Sequence, residues 1–131
     1  SPAAFGGDTA PLVYFLSFAF AGRYGAQHEL TKASMLLRGG EHKIDLKPLL
    51  TFADRDAEEE ADRRELDRVW QDAGPLAECC RRAVEAIDAD PAARELLAEF
   101  PTLRDRLEEL GRIASWAAER GSRVRLTYTM E

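Results

Sequence analysis

The hydrophobic and polar positions divide the chain into an apolar first stretch and a longer second part patterned like helices. Over 12–20 both alternating faces are apolar and rich in Phe, Tyr and Val, which is typical of a covered strand. Over 122–130 apolar side chains alternate with Arg or Thr, as in a strand with one solvated face. Ile44 and Leu46 alternate with polar neighbours and predict a short strand over 42–46.

Apolar residues recur at three- and four-residue spacing through most of the second part. This spacing predicts helices over 55–73, 75–88, 91–99 and 103–120. Asp90 and Pro91 have the character of an N-cap and a first helical residue, and Gly121 that of a C-terminal stop. Thr102 and Asp105 resemble a capping box at the start of the last helix, with Asp in place of the usual Glu.

The stretch 26–38 has two interpretations. Ala26, Leu30, Ala33 and Leu37 follow helical spacing, and Gly39 then acts as the C-cap, which favours a helix. The alternative is a strand that turns through Gly39-Gly40 into the strand at 42–46, because a two-residue glycine turn is typical of hairpins.

Together these elements predict an α+β fold. The strands at 12–20, 42–46 and 122–130 form a small, mainly antiparallel sheet, and four to five helices cover it. Residues 1–11 carry Gly and Pro without periodicity and are expected to be a flexible arm. Residues 12–131 then form a single domain, as a chain of 131 residues suggests.

The charge distribution excludes two classes of partner. The net charge is -6; residues 1–50 carry five Lys/Arg against four Asp/Glu, and 51–131 carry thirteen against twenty. Nucleic-acid binding needs a basic stripe to displace counterions from phosphates, and none is present. An anionic membrane surface is excluded as a partner for the same reason.

The cysteines and the first apolar run indicate the cellular compartment in which the protein is found. Cys79 and Cys80 are adjacent on a predicted helix, where consecutive side chains point about 100° apart, so they form neither a bridge nor a CxxC motif. We expect one buried and one half-exposed thiol. The triplet 19–21 resembles a signal-peptide cleavage site, but no basic residue precedes it, and the run is too short to span a membrane. A cytoplasmic location is therefore predicted.

Few residues offer chemistry. The histidines His28 and His42 each adjoin a glutamate, but their spacing matches no metal or general-base motif. The acidic run 58–62 is interpreted as the solvent-exposed N-terminal part of a helix. We therefore predict no metal, no cofactor and no catalytic residue. Arg23 and Tyr24 follow the first predicted strand, near a sheet end. The ligand-binding candidates, as the polar groups of a pocket between sheet and helices, are Arg23, Tyr24, His28, Glu29 and His42.

Two functional hypotheses follow. The favoured one is a non-enzymatic interaction or regulatory module that binds a protein partner or itself, most simply as a homodimer. Trp70 and Trp116 lie at the margins of their apolar stripes and are its candidate interface anchors, and the alternative, a place at the edge of the core, is favoured by about two to one. The alternative is an α+β domain that binds or transforms a small molecule in a pocket between sheet and helices.

Overall fold

The computed structural model of the protein is mostly helical with two short strand ladders, which confirms the α+β class. It describes residues 12, 15, 29–53, 64 and 67–127. The helices are α1 (Glu29–Arg38), α2 (Lys47–Leu50), α3 (Ala73–Ala89), α4 (Pro91–Leu96) and α5 (Leu103–Glu119). The strands are β1 (Phe52–Ala53), β2 (Gln71–Asp72), β3 (Arg123–Val124) and β4 (Leu126–Thr127).

The helical interpretation of the stretch before Gly39 is confirmed from residue 29 onward, and the hairpin alternative is wrong. Gly39 follows the last helical residue, and its N–H donates to the carbonyl of Met35 at 3.0 Å. Gly40 takes the left-handed φ of +55° that ends the turn. The chain then folds back, because the N–H of Ile44 donates to the carbonyl of Leu37 at 2.9 Å.

The helices α3 and α4 form in the stretches that the sequence predicts, although α4 ends at Leu96 rather than at residue 99. Helix α3 begins two residues before Pro75, so the Gly74-Pro75 pair lies inside its first turn rather than before it. Proline is tolerated there because the first helical N–H groups have no partner in the helix. Asp90 is the N-cap of α4, and its carboxylate accepts a hydrogen bond from the N–H of Ala92 at 2.9 Å.

Helix α5 also matches its prediction, including the stop at Gly121, whose φ is +66°. The predicted capping box at its start is wrong. The backbone of Thr102 is already helical, and its side chain accepts no capping bond. A capping side chain reaches the first turn from an extended backbone, which this residue does not adopt.

The helix predicted over 55–73 ends earlier than its pattern indicates. Arg64, Asp67 and Arg68 are helical, but β2 follows at 71–72 and pairs antiparallel with β3. The side-chain amide of Gln71 also donates a hydrogen bond to the backbone carbonyl of Pro48 at 2.9 Å. These tertiary contacts override the local helical spacing.

The predicted strands are only partly confirmed. The 122–130 strand exists as β3 and β4, separated at Arg125; its residues beyond 127 lie outside the described part of the chain. β4 pairs with β1 in parallel, a partner that the pattern did not indicate. Residues 42–46 form no strand, although Ile44 and Leu46 are buried as their alternation predicts. The turn after α1 leads this segment over the core instead.

The first apolar run also differs from its prediction at the positions that the structure describes. Leu12 and Phe15 are helical rather than extended, and both are buried. Their three-residue spacing suits one face of a helix as well as it suits a covered strand, so periodicity alone does not separate the two. The rest of 12–20 and the predicted arm at 1–11 lie outside the described residues.

The core is centred on α3 and α5, which make the most extensive contact between any two elements of the described chain. Their apolar stripes face each other, with Leu76 and Ala83 on α3 against Leu107 and Ala114 on α5, all almost completely buried. Together with α1 and α2 these helices enclose one continuous hydrophobic cluster. The outward side of the α3–α5 pair remains open and forms a groove.

Candidate functional site

A groove of about 360 Å³ runs between α3 and α5 on their outward side. It extends from Gly74 to Glu85 along α3, which corresponds to about 16 Å of helix. Its floor is apolar and consists of Ala77, Cys80 and Val84 on α3 with Leu107 on α5. A concave, mostly apolar surface of this size suits either a packed helix or a small ligand.

Small residues make the groove accessible. Gly111 lies so close to α3 that a Cβ atom on it would stand 3.1 Å from the Cβ of Cys80. Gly74 and Ser115 line the groove at the end where α3 begins. Because these side chains are short or absent, the groove floor is not covered by the helices that form it.

The rims of the groove are charged, and the charges are paired along each helix. On α3, Arg81 binds Glu78 and, at 2.6 Å, Glu85. On α5, Glu108 accepts hydrogen bonds or ion pairs from Arg104 at 2.6 Å and Arg112 at 3.4 Å. These rim residues are half-buried or exposed, so each pair contributes little to folding stability.

One ion pair joins α3 and α5 just outside the groove lining, three residues beyond Glu85 on α3. Two nitrogens of the Arg104 guanidinium on α5, Nη2 and Nε, donate to the carboxylate of Asp88 on α3 at 2.8 and 3.0 Å. The Arg104 hydrogen bonds hold the pKa of the Asp88 carboxyl below its usual value. On α3, the hydrogen bond from Arg81 has the same effect on the pKa of Glu78. The groove therefore presents ionised carboxylates and guanidinium groups at neutral pH.

Neither cysteine is an activated nucleophile. Both are free and buried, so the expectation of one half-exposed thiol is wrong. Burial raises the pKa of the Cys79 thiol to about 11 and raises that of Cys80 still further. A thiol becomes nucleophilic only as the thiolate, so neither residue is activated for catalysis.

The predicted ligand-binding residues do not form a site within the described chain. Arg23, Tyr24 and His28 lie outside it. Glu29 is exposed at the start of α1, whereas His42 follows the end of that helix, so about 14 Å of helix separates them. The candidates are therefore not brought together where they are described.

His42 has a structural partner instead. Its Nε2 lies 2.7 Å from Oδ2 of Asp90, and it must donate, because an ionised carboxylate only accepts. Arg82 donates to the carbonyl of His42 at 3.1 Å. The loop after α1 is thereby tied to α3 and to the N-cap of α4. No group of three or more metal-ligating side chains occurs among the described residues.

Each tryptophan is stacked against an arginine. The Arg125 guanidinium lies 4.7 Å from the ring centre of Trp70, and that of Arg120 lies 4.2 Å from the ring centre of Trp116. Trp70 keeps 38% of its surface exposed, and Trp116 is half-buried. Trp116 lies on α5, as predicted, whereas Trp70 lies outside any helix, directly before β2, so its predicted place at the margin of a helical stripe is wrong. An interface role for either one stays a prediction.

The sequence analysis missed the groove. Gly74, Gly111 and Ser115 are the residues that open it, yet a single glycine in a helical pattern does not show which helix it approaches. Comparison with protein-family models, curated proteins and solved structures finds no match. Within the described chain, no helix is both long enough and apolar enough to cross a membrane.

Proposed function

We propose that this protein is a non-enzymatic interaction module that associates with a second copy of itself through the groove between α3 and α5. One observation carries the proposal: the groove has an apolar floor, and its rim charges are already paired along their own helices. A partner that covers the floor therefore leaves no rim charge unpaired. An apolar centre with a polar rim is the usual anatomy of a protein interface.

The chemistry of the groove supports binding rather than catalysis. Catalytic sites hold groups whose pKa values are shifted toward neutrality. Here the carboxyl pKa values that shift are lowered by arginine partners, and the pKa of the Cys80 thiol is raised away from neutrality. The groove carboxylates Glu78, Glu85 and Glu108 are each paired with an arginine, and the Cys80 thiol is buried. We place the module in the cytoplasm, in keeping with two free, buried thiols.

A small apolar ligand is the second candidate occupant. The volume of about 360 Å³ lies within the range of small-molecule sites, which favours this alternative on size alone. A ligand would add its own mass to the protein, whereas self-association would give a clean multiple of the chain mass of 14.6 kDa.

Native mass spectrometry and sedimentation velocity test the proposal. We expect a dimer without added mass. Ser115→Tyr places a bulky side chain in the groove and is expected to weaken the dimer about 10-fold or more, since one filled contact is worth over 1 kcal/mol. Ala118→Tyr is the matched control, because Ala118 is exposed on the same helix and does not line the groove.

Two outcomes would overturn the proposal. One is a wild-type protein that stays monomeric at about 100 μM, well above the Kd of a functional module. The other is a dimer that Ser115→Tyr and Ala118→Tyr affect equally. Trp70→Ala adds a third variant: because Trp70 precedes α3 and does not line the groove, we expect it to weaken the dimer less than Ser115→Tyr does.

A further inference from the structure

We infer that this protein has a second binding site, which takes an anionic amphiphile: a single carboxylate on a short alkyl chain. The site, the loop cavity, has a volume of about 490 Å³ and lies beside the loop between α1 and α2. Its floor consists of the buried Ile44 and Leu46 and the half-buried Leu50, and the exposed Arg38 and Lys47 line it as well. The described linings of the loop cavity and of the α3–α5 groove have no residue in common, so the inference does not depend on the proposed association.

Backbone hydrogen bonds bring the two cationic residues to the same cavity. The N–H of Ile44 donates to the carbonyl of Leu37 at 2.9 Å, so the loop runs back past the last turn of α1, where Arg38 lies. The N–H of Lys47 then donates to Oδ1 of Asp45 at 2.9 Å, and this turn leads into α2. Arg38 and Lys47 are therefore separated by the whole loop in sequence but line one cavity in the structure.

The two cations of the loop cavity are not neutralised by neighbouring carboxylates. In the part of the chain that the structure describes, the side chains of Arg38 and Lys47 form no hydrogen bond and no ion pair. The arginines of α5, by contrast, all pair with carboxylates: Arg104, Arg106 and Arg112. Asp45 also lines the cavity, but its carboxylate accepts the backbone N–H of Lys47. The described lining therefore carries two cations and one carboxylate, whereas the whole chain has a net charge of -6.

The charges and the floor together define the class of ligand. Guanidinium and ammonium groups form strong, charge-assisted hydrogen bonds with a carboxylate, and one negative charge matches the excess of one cation in the lining. An alkyl chain then covers the apolar floor. The volume lies within the range of about 300–1,000 Å³ that is usual for small-molecule sites. Because both cations are exposed, the ligand exchanges freely and is lost on purification, so the purified dimer carries no added mass.

Isothermal titration calorimetry with sodium octanoate tests the inference. We expect one saturable site per chain with a Kd on the order of 1 mM. Heptanoate is expected to bind about 4-fold more weakly, because one methylene group fewer leaves water on the apolar floor. Octanol, which has the chain without the charge, should bind more weakly than octanoate.

Three variants locate the octanoate site. Arg38→Gln and Lys47→Gln are each expected to weaken octanoate binding about 3-fold, the effect of removing an exposed charge from an ion pair. Lys32→Gln is the matched control, because Lys32 is exposed on α1 and does not line the cavity. Circular dichroism checks that each variant is folded. The groove variant Ser115→Tyr should keep the wild-type affinity for octanoate, since Ser115 does not line the loop cavity.

Four results would overturn the inference. One is the absence of saturable octanoate binding up to about 20 mM, well above the expected Kd. Another is an equal effect of Lys32→Gln and of the two cavity variants. Octanol that binds as tightly as octanoate would show that the charge is not recognised. Loss of octanoate binding in Ser115→Tyr would place the ligand in the α3–α5 groove instead.

Discussion

Replacing Gly111 with alanine tests how closely α3 and α5 approach each other. Glycine in the middle of an α-helix costs about 0.5–1 kcal/mol relative to alanine, so its presence in α5 needs a packing reason. The structure provides one, because an added Cβ would stand 3.1 Å from the Cβ of Cys80. The optimal separation of two nonbonded carbon atoms is about 3.5–4.0 Å.

The expected magnitude is the difference between two effects. Alanine gains about 0.8–1.0 kcal/mol in helix propensity. The crowded contact forces α3 and α5 apart by several tenths of an ångström, and overpacking of a core typically costs about 1–3 kcal/mol. We therefore expect Gly111→Ala to lower the free energy of unfolding by about 1 kcal/mol. Replacing Cys80 by alanine would not relieve the contact, because the atom concerned is the Cβ that both side chains contain.

Urea unfolding followed by circular dichroism measures the effect, with Gly74→Ala as the matched control. Gly74 is also helical, but an added Cβ meets nothing within 4 Å, so this change should stabilise the protein by about 0.5 kcal/mol. The two variants are thus expected to shift the midpoint in opposite directions. If Gly111→Ala proves as stable as Gly74→Ala, the close approach of the helices is refuted.

Two further predictions concern ionisable groups. Hydrogen bonds from His42 and then from a backbone N–H lower the pKa of Asp90 in the folded protein. Its charge therefore stabilises the fold at neutral pH, and this contribution is lost as the pH falls below about 4. The stability difference between wild type and Asp90→Asn should shrink over that range in urea titrations; a constant difference would contradict the assignment. For Cys79 and Cys80, we expect reaction with a thiol reagent at pH 8 to be at least about 100-fold slower in the native protein than in denaturant, because burial and raised pKa values suppress the thiolate. One rapidly reacting thiol in the native protein would show that a cysteine is accessible.

The long helices were predictable because their apolar spacing and the residues at their ends indicate the same boundaries. Asp90 with Pro91 marks the start of α4, and Gly121 marks the end of α5, and both act as predicted. One position inside α5 departs from its stripe. Arg106 is buried, with its Nε 3.3 Å from a carboxylate oxygen of Glu109, and periodicity gives no reason to bury an arginine.

The ladders were less predictable because each depends on a distant partner. β2 interrupts a helical pattern at Gln71, which pairs with Val124 more than fifty residues away. β1 at 52–53 is only two residues long and becomes a strand through its pairing with β4. Segments this short carry too little pattern to compete with neighbouring helices, so pairing decides their conformation.

The candidate site depends on distances that the sequence does not contain. The sequence offers His42 as a ligand-binding candidate together with Glu29, but in the structure the partner of His42 is Asp90, 48 residues away, and the contact holds a loop. The groove was missed for a related reason. Its floor residues are ordinary members of two apolar stripes, and only the relative placement of α3 and α5 shows that they line a groove.

Gly111 connects the stability of the fold with the proposed association. Its missing side chain lets α3 and α5 pack closely, and it keeps the same part of the groove floor open. A change at Gly111 should therefore alter the free energy of unfolding and the dimer affinity together. A change at Ser115, which is exposed at the end of the groove, should alter only the affinity. If both variants shifted stability and affinity in the same proportion, loss of folded protein alone would explain the weaker dimer. Unequal proportions, with Ser115→Tyr weakening the dimer at unchanged stability, are what a docking groove requires.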